Sequence, residues 1–152
     1  GGQNQPVYPF PVTLSFIADG LRRLRAVAAA SKDASEAIDV WRGMRNVESD
    51  ADFYAKGGTE LAPMSGTTSL TVAVQYALGH AQGDTAHALL FKIVARSFID
   101  RGADLGFLSC LPGEAEWCYP PLTYLSPTGR RERHAIGGTL FEIVEVEPRF
   151  SS

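Results

Sequence analysis

The sequence contains little cysteine and no pattern of residues typical of a metal centre. Its two cysteines, Cys110 and Cys118, form neither a CxxC pair nor a Cys/His spacing of the kind that binds zinc. The three histidines, His80, His87 and His134, are dispersed along the chain, so we expect no metal site. Two thiols this close in sequence could bridge a loop, but the low cysteine content favours free, half-buried thiols.

Long apolar runs are also missing from the sequence. No stretch of about 18 consecutive apolar residues occurs, so we expect no transmembrane helix and no membrane partner. The chain begins GGQNQ, which is not a basic segment followed by an apolar one and does not resemble a signal peptide. The paired glycines fit a domain excised from a longer protein, in which case any targeting signal lies elsewhere.

Positive charge is not in excess. The net charge is −3 and 20% of the residues are charged, which argues against nucleic acid as the main partner. Two short basic clusters, at residues 22–25 and 130–133, are interpreted as a solvated helix face and a solvated loop.

The length and the hydrophobic pattern predict one domain over residues 1–152. Apolar residues recur at helical spacing over 14–29. A second helix is predicted from Leu70 onward, where Ser69 or Thr71 could cap it.

Several segments have the pattern of β-strands. Alternating or continuous apolar residues are found at 38–44, 87–95 and 138–148. The segment 116–125 has strand-like aromatics, but Pro120-Pro121 interrupts it and favours an edge strand. Helices early and strands with hairpin spacing late predict an α+β fold with an antiparallel sheet.

Three features carry residues suited to chemistry. Arg42 lies in the otherwise apolar strand 38–44, where a guanidinium could anchor a phosphate or carboxylate, or could simply reach solvent. The hydroxyl-rich run 65–69 could belong to a site, or could serve only as a turn and a helix cap. Glu114 and Glu116 would face the same way on a strand, where a cation between them would relieve their repulsion, although surface Glu-x-Glu pairs are common.

Taken in this order, the three features resemble the mono-ADP-ribosyltransferase family. The similarity is to its Arg–Ser–Glu class of cholera-type toxins, clostridial binary toxins and vertebrate arginine-specific enzymes. "VWRGM" is similar to the family's strand with its arginine, and "APMSGTTSLTVAVQYA" to its Ser-Thr-Ser strand and following helix. "RGADLGFLSCLPGEAEWCYPPLTYL" resembles the loop before Glu-x-Glu and the strand that bears the glutamate. The resemblance covers residues 12–148.

The resemblance implies a fold and a reaction. The fold would be ADP-ribosyltransferase-like, with two twisted, mostly antiparallel sheets packed across each other, flanking helices and a cleft for NAD. NAD would be a co-substrate, and no metal would be required. The reaction would transfer ADP-ribose to a protein side chain, arginine where the pair is Glu-x-Glu, and release nicotinamide. We expect a monomer that acts inside a cell, in the cytoplasm, as a toxin or effector does.

The resemblance also implies a role for individual residues. Arg42 would bind the NAD phosphates, and the backbone of Gly43 would lie against the nicotinamide amide. Glu116 would bind the hydroxyls of the nicotinamide ribose, and Glu114 would position or deprotonate the acceptor. Phe107, in the preceding loop, would contact the target protein, or would serve ordinary packing.

The Ser/Thr triplet can be placed in two registers. In the first, Ser65-Gly66-Thr67 is the triplet and its middle residue has become glycine. In the second, Thr67-Thr68-Ser69 is the triplet and a threonine supplies the first hydroxyl. The distance from "PMS" to the helix favours the first register. Ser65 would then orient the catalytic glutamate, and Thr67 and Thr68 would lie in the cofactor site.

Other functions stay open at the level of sequence. An NAD glycohydrolase would need the same Arg42 and Glu116, with water in place of the protein nucleophile. A domain that binds NAD or a protein without turnover would account for the departure from Ser-Thr-Ser. An unrelated α+β interaction module would neither release nicotinamide nor be stabilised by NAD.

Overall fold

The structure is a computed structural model, which describes residues 19–21, 23–24, 37–44, 51–78, 86–97, 100–105 and 116–150. The elements in chain order are β1 Ile38–Met44, α1 Ala51–Lys56, β2 Gly58–Glu60, β3 Met64–Thr67, α2 Leu70–Leu78, β4 Ala86–Ala95, β5 Ala103–Asp104, β6 Glu116–Tyr119, β7 Thr123–Ile136 and β8 Thr139–Arg149. Residues 19–21 and 23–24 are also helical, within the helix predicted over 14–29. The rest of that predicted helix lies outside the described residues.

The strands form an open, mostly antiparallel sheet in the order β2-β7-β8-β4-β1-β3-β6-β5. The pairing of β4 with β8 is parallel, and the other pairings are antiparallel. The α+β class and the mostly antiparallel sheet predicted from the sequence are therefore confirmed. Within this part of the chain, no helix is long and apolar enough to cross a membrane.

Strands β1 and β3 are joined by very few pairing contacts. Strand β1 pairs with β4 along its whole length, from Ile38 to Met44, but it pairs with β3 only through Trp41 and Thr67. This pair joins the part β2-β7-β8-β4-β1 to the part β3-β6-β5. The resemblance implied two sheets; in the structure a single register pair joins these two parts into one eight-stranded sheet, and residues around that pair line the cavity described below.

Strand β4 is buried on both faces, which explains its continuous apolar sequence. Leu89, Phe91 and Ile93 point into the larger core cluster, together with Val40 and Met64 among others. Ala88 and Leu90 alternate to the opposite face and form a smaller cluster beneath α2. Helix α1 covers the larger cluster with Phe53, whose ring stacks on Phe91 at 5.2 Å between centroids.

Helix α2 packs closely against β1 because the strand carries a glycine at the contact. A Cβ atom on Gly43 would lie 2.5 Å from the backbone oxygen of Ala73 and 3.0 Å from the backbone nitrogen of Ala77. Both helix residues are buried. The glycine therefore determines how near α2 can approach the strand that bears Arg42.

We expect Gly43→Ala to lower the free energy of unfolding by about 1–3 kcal/mol, the usual cost of overpacking a tight contact. The clash is with helix backbone, so α2 has to move and a side-chain rotation does not suffice. Urea unfolding followed by circular dichroism measures the change. Gly20→Ala is the matched control, because a Cβ at that helical glycine meets nothing within 4 Å. Equal stability of the Gly43→Ala variant and the parent would contradict this packing.

The basic cluster at 130–133 was predicted to be a solvated loop; it is exposed, as predicted, but the loop assignment is wrong. The cluster lies in β7, where Arg131, Glu132 and Arg133 pair with Val144, Ile143 and Glu142 of β8. Charged residues occur on both faces of this strand, so its sequence shows no alternation of polar and apolar residues. The pairing with the apolar strand β8 forms the hairpin, a contact that the local pattern cannot reveal.

Other boundaries agree closely with the sequence. Strand β1 has the predicted bounds 38–44, and β4 and β8 differ from the predictions by about one residue at an end. Helix α2 begins at Leu70, and Ser69 caps it: the Ser69 hydroxyl accepts the amide proton of Val72 at 3.4 Å. The six-residue helix α1 has no counterpart in the predictions.

Candidate active site

A cavity of about 280 Å³ lies where β1, β3, β6 and the first turns of α2 meet. Its lining residues are Trp41, Arg42, Gly43, Ser65, Gly66, Thr67, Val72, Ala73, Tyr76 and Glu116. Five of the residues singled out in the sequence are among them: Arg42, Gly43, Ser65, Thr67 and Glu116. Segments separated by more than seventy positions in the chain are thus brought to one place by strand pairing.

Glu116 is placed by the register of three neighbouring strands. Thr67 of β3 is the register partner of Glu116 on β6 and of Trp41 on β1. Residues opposite each other on paired strands share a face, with Cβ atoms about 4.5–5.5 Å apart. The side chains of Thr67 and Glu116 therefore start from adjacent positions on the same face.

Ser65 lies further along the same strand. Its register partner is Cys118 rather than Glu116, and its side chain is exposed. The backbone oxygen of Ser65 accepts a hydrogen bond of 2.7 Å from Nη1 of Arg42. Ser65 thus contributes to the cavity and fixes the arginine through its main chain.

The guanidinium of Arg42 retains donors for a ligand. A guanidinium carries five N–H donors, and Ser65 accepts one of those of Arg42. Its Nε is buried and has no hydrogen-bond partner among the described residues. An arginine with unused donors at a cavity is suited to bind an anion such as a phosphate or carboxylate.

The hydroxyl run after β3 forms a helix cap and orients Thr67. Oγ1 of Thr67 accepts the amide proton of Ser69 at 3.0 Å. Because this oxygen already accepts a hydrogen bond, the hydroxyl proton of Thr67 remains available for a carboxylate. Thr68 is exposed and is not among the residues that line the cavity.

Cys118 lies close to both charged residues of the cavity. It follows Glu116 by two positions on β6 and so shares its face. Burial raises the pKa of the Cys118 thiol, the Glu116 carboxylate raises it further, and Arg42 partly opposes them. The thiol is free, as predicted, and it stays protonated, which makes it a poor nucleophile.

The aromatic residues of the cavity were not predicted from the sequence. Trp41 precedes Arg42 on β1, and Tyr76 projects from α2 with 52% of its surface exposed. The sequence spacing could have indicated Tyr76, since residues three or four apart share a helix face and Tyr76 follows Val72 and Ala73 at that distance. Glu114 and Phe107, both predicted as site residues, lie outside the described residues.

Metal chemistry receives no support from the described side chains. In the ranges that the structure covers, no group of three or more His, Cys, Asp or Glu side chains could hold a metal ion.

Solved structures that share this fold include two ADP-ribosyltransferases. HopU1 of Pseudomonas syringae pv. tomato DC3000 matches with a TM-score of 0.53 and 22% identity, over 88% of this chain and 52% of the HopU1 chain. Plx2a, an ADP-ribosyltransferase toxin from Paenibacillus larvae, matches with a TM-score of 0.52 and 14% identity, over 90% of this chain and 69% of its own. No protein-family model and no curated protein sequence matches the chain.

The chain therefore has the ADP-ribosyltransferase fold, and the fold class predicted from its sequence is confirmed. The mono-ADP-ribosyltransferase resemblance is supported by the same matches. The chain spans about half the length of HopU1, 52%. Identities of this size establish the fold, and the activity has to be argued from the site.

Proposed function

We propose that the protein is an NAD-dependent mono-ADP-ribosyltransferase that modifies arginine side chains of a protein and releases nicotinamide. One observation carries the proposal. Arg42, Thr67 and Glu116 come from three different strands and line one cavity in a chain with the ADP-ribosyltransferase fold. The arginine strand, the hydroxyl run and the Glu-x-Glu motif, which are far apart in the sequence, thus each contribute a residue to the same cavity.

Arg42 is the anchor for the dinucleotide. Its unused N–H donors match the oxygens of a pyrophosphate, and the bond to Ser65 fixes the guanidinium before the ligand arrives. Gly43, next in the chain, lines the same cavity, where its backbone would lie against the nicotinamide amide. Trp41 and Tyr76 add aromatic surfaces suited to stacking on a flat ring.

Glu116 stabilises the reacting sugar. Breaking the bond between nicotinamide and ribose builds positive charge on the ribose, as in glycoside hydrolysis. A carboxylate fixed beside that charge lowers the barrier by electrostatic stabilisation. Nicotinamide leaves without being protonated, so the site needs no strong general acid, and among the described residues that line the cavity there is no histidine.

The acceptor side of the site depends on Glu114. A guanidinium that enters between Glu114 and Glu116 would relieve the repulsion between the two carboxylates and would lie next to the reactive sugar carbon. Glu114 would position this acceptor or take up its proton. Phe107 is proposed to contact the target protein from the loop that precedes the pair.

The test of the proposed function is nicotinamide release from NAD by the unmodified protein, measured with and without agmatine, a small guanidine. We expect agmatine to raise the rate and ADP-ribosyl-agmatine to appear. Release that ignores agmatine would instead identify an NAD glycohydrolase. If NAD raises the melting temperature but no nicotinamide is released, the protein is a binding domain. If NAD neither stabilises the protein nor is cleaved, every NAD-dependent function is contradicted.

The two registers of the Ser/Thr triplet can be distinguished by mutation. The first predicts that loss of the Ser65 hydroxyl impairs activity, and the second that loss of the Thr67 hydroxyl does. Thr67 is the register partner of Glu116, so we propose that Thr67, rather than Ser65, orients the glutamate. Thr67→Ala should slow nicotinamide release roughly ten- to hundredfold, since a hydrogen bond to a charged group contributes about 1.5–3 kcal/mol. Thr67→Ser should retain most of the activity. Ser65→Ala keeps the backbone oxygen that holds Arg42 and is expected to have a small effect.

Steady-state kinetics of these three variants decide between the registers. A larger loss for Ser65→Ala than for Thr67→Ala would restore the first register, in which Ser65 supports Glu116. Circular dichroism should show that all three variants keep the parent fold, because each change removes at most one hydroxyl and one methyl group.

A further inference from the structure

We infer that Lys92 is a positioning residue for the cavity, because it holds the ring of Trp41 in the orientation in which that ring forms a wall of the site. Lys92 is in β4, outside the lining of the cavity, and it acts through Trp41. The consequence for NAD binding rests on the proposed function, whereas the contact between Lys92 and Trp41 does not.

A row of register partners runs across five strands and connects Lys92 to the candidate catalytic glutamate. Lys92 is paired with Glu145 of β8 on one side and with Trp41 of β1 on the other. Trp41 is paired with Thr67, and Thr67 with Glu116. All five side chains start from the same face of the sheet, and successive members are direct neighbours.

The ammonium of Lys92 is fixed by two carboxylates. Its Nζ lies 3.2 Å from Oδ2 of Asp39 and 3.7 Å from Oε2 of Glu145. Glu145 is itself buried, and its Oε1 accepts a hydrogen bond of 2.9 Å from Oγ1 of Thr128. A lysine that is half-buried between fixed carboxylates loses much of the freedom that a surface lysine retains.

The fixed ammonium lies over the ring of Trp41, with 5.9 Å between Nζ and the ring centroid. A cation is attracted to the face of an indole within about 6 Å of its centroid. This attraction selects the rotamer of Trp41 in which the ring presents its face to Lys92. In this rotamer Trp41 lines the cavity, next to its register partner Thr67.

Without the cation, the indole is restrained only by its packing against the smaller core cluster, so other rotamers become more populated and the fraction of molecules with a complete cavity falls. The apparent affinity for a ligand falls in proportion to that fraction. Lys92→Met should therefore raise the KM for NAD about two- to fivefold, the factor that corresponds to an exposed cation–π contact. The value of kcat should change little, because Lys92 does not reach the reacting atoms.

The test combines kinetics with a signal from Trp41 itself. The chain has two tryptophans, so 5-fluorotryptophan labelling gives two ¹⁹F resonances, and Trp117→Phe assigns them. Lys92→Met should shift or broaden the Trp41 resonance and leave that of Trp117 in place. Lys92→Arg keeps the cation and should restore both the resonance and the KM. Lys56→Met is the matched control, since Lys56 pairs with Asp52 on an exposed helix face.

Unchanged Trp41 resonance in Lys92→Met would overturn the inference, and so would a loss confined to kcat. Failure of Lys92→Arg to restore the parent behaviour would overturn it as well. If the parent protein releases no nicotinamide, the proposed function fails, and the ¹⁹F spectra still decide whether Lys92 positions Trp41. The two proposals can therefore fail independently.

Discussion

The Glu116→Gln variant is expected to lose at least about a hundredfold in kcat for nicotinamide release, the effect of removing a preorganised electrostatic stabiliser of a transition state. Glutamine preserves the size of the side chain but not its charge. The positive charge on the ribose exists only as the bond breaks, so the loss falls on kcat rather than on NAD binding. The variant should bind NAD within a few-fold of the parent.

This substitution should not disturb the fold. Within the described part of the chain no ion pair of Glu116 is found, and glutamine can still accept a hydrogen bond from its register partner Thr67, so stability should change by less than about 0.5 kcal/mol. Nicotinamide release, NAD binding by calorimetry and thermal unfolding are measured on the same preparation. Glu132→Gln, an exposed carboxylate on β7, is the control and should retain full activity. Parent-like kcat for Glu116→Gln would remove the central support of the proposed function.

A second large effect is expected at Glu142, far along the sheet from the cavity. This carboxylate is 2% exposed, yet it is surrounded by donors and positive charges. The hydroxyl of Tyr54 donates to its Oε1 at 2.6 Å, and Nε of Arg131 donates to the same oxygen. His87 lies 3.2 Å from Oε2, and Arg133 lies 3.6 Å from Oε1.

Glu142→Gln should lower the free energy of unfolding by about 3 kcal/mol, the lower end of the range for breaking a buried ion pair. The lower end applies because both arginines reach solvent and are partly hydrated. The amide can still accept one hydrogen bond, but Arg131 loses its counter-charge while it lies over the ring of Tyr54. Glu132→Gln on the same hairpin is the control, with an expected change below about 0.5 kcal/mol.

Acid and alkali should both weaken this network. Burial alone would raise the pKa of Glu142, but hydrogen bonds from Tyr54 and Arg131 and the charges of Arg131 and Arg133 outweigh burial and lower it. A carboxyl with a lowered pKa contributes stability above its ordinary pKa and loses that contribution as the pH falls through the folded value. The parent should therefore lose more stability in acid than Glu142→Gln does.

Tyr54 determines how the free energy of unfolding changes at alkaline pH. Burial, with the hydrogen bond to Glu142 next in importance, raises the pKa of Tyr54 from 10.0 to about 12. A raised pKa contributes stability below the ordinary value and loses it as the pH rises through the folded value. Urea unfolding across the pH range measures both limbs. A parallel pH dependence of the parent and Glu142→Gln would show that this network contributes no pH-dependent stability.

Local sequence patterns predicted the elements whose residues face one environment along their length. Strand β1 alternates because Ile38, Val40 and Met44 all face the larger core cluster, and β4 is continuously apolar because both of its faces are covered. Helix α2 carried its own start signal, the capping hydroxyl of Ser69. In contrast, residues 128–136 of β7 are exposed on both faces, so no periodicity marked them as a strand.

The candidate site residues could also be identified from the sequence, but which of them lie next to each other in space could not. Arg42, the hydroxyl run and Glu116 were recognisable by residue type and order. Which hydroxyl faces the glutamate depends on the register between β3 and β6, and a shift of one residue would reverse every side chain. That register is determined by contacts between segments distant in the chain, which no local pattern encodes.

The sequence by itself therefore determined the α+β class, the main strands and the resemblance to mono-ADP-ribosyltransferases, because these depend on local periodicity and on residue order. The tertiary structure decided that Thr67 stands opposite Glu116, that Lys92 lies over Trp41 and that Glu142 is buried among positive charges. These three relations are made across strands, where partners are chosen by hydrogen-bond register and by the electrostatics of side chains brought together in folding.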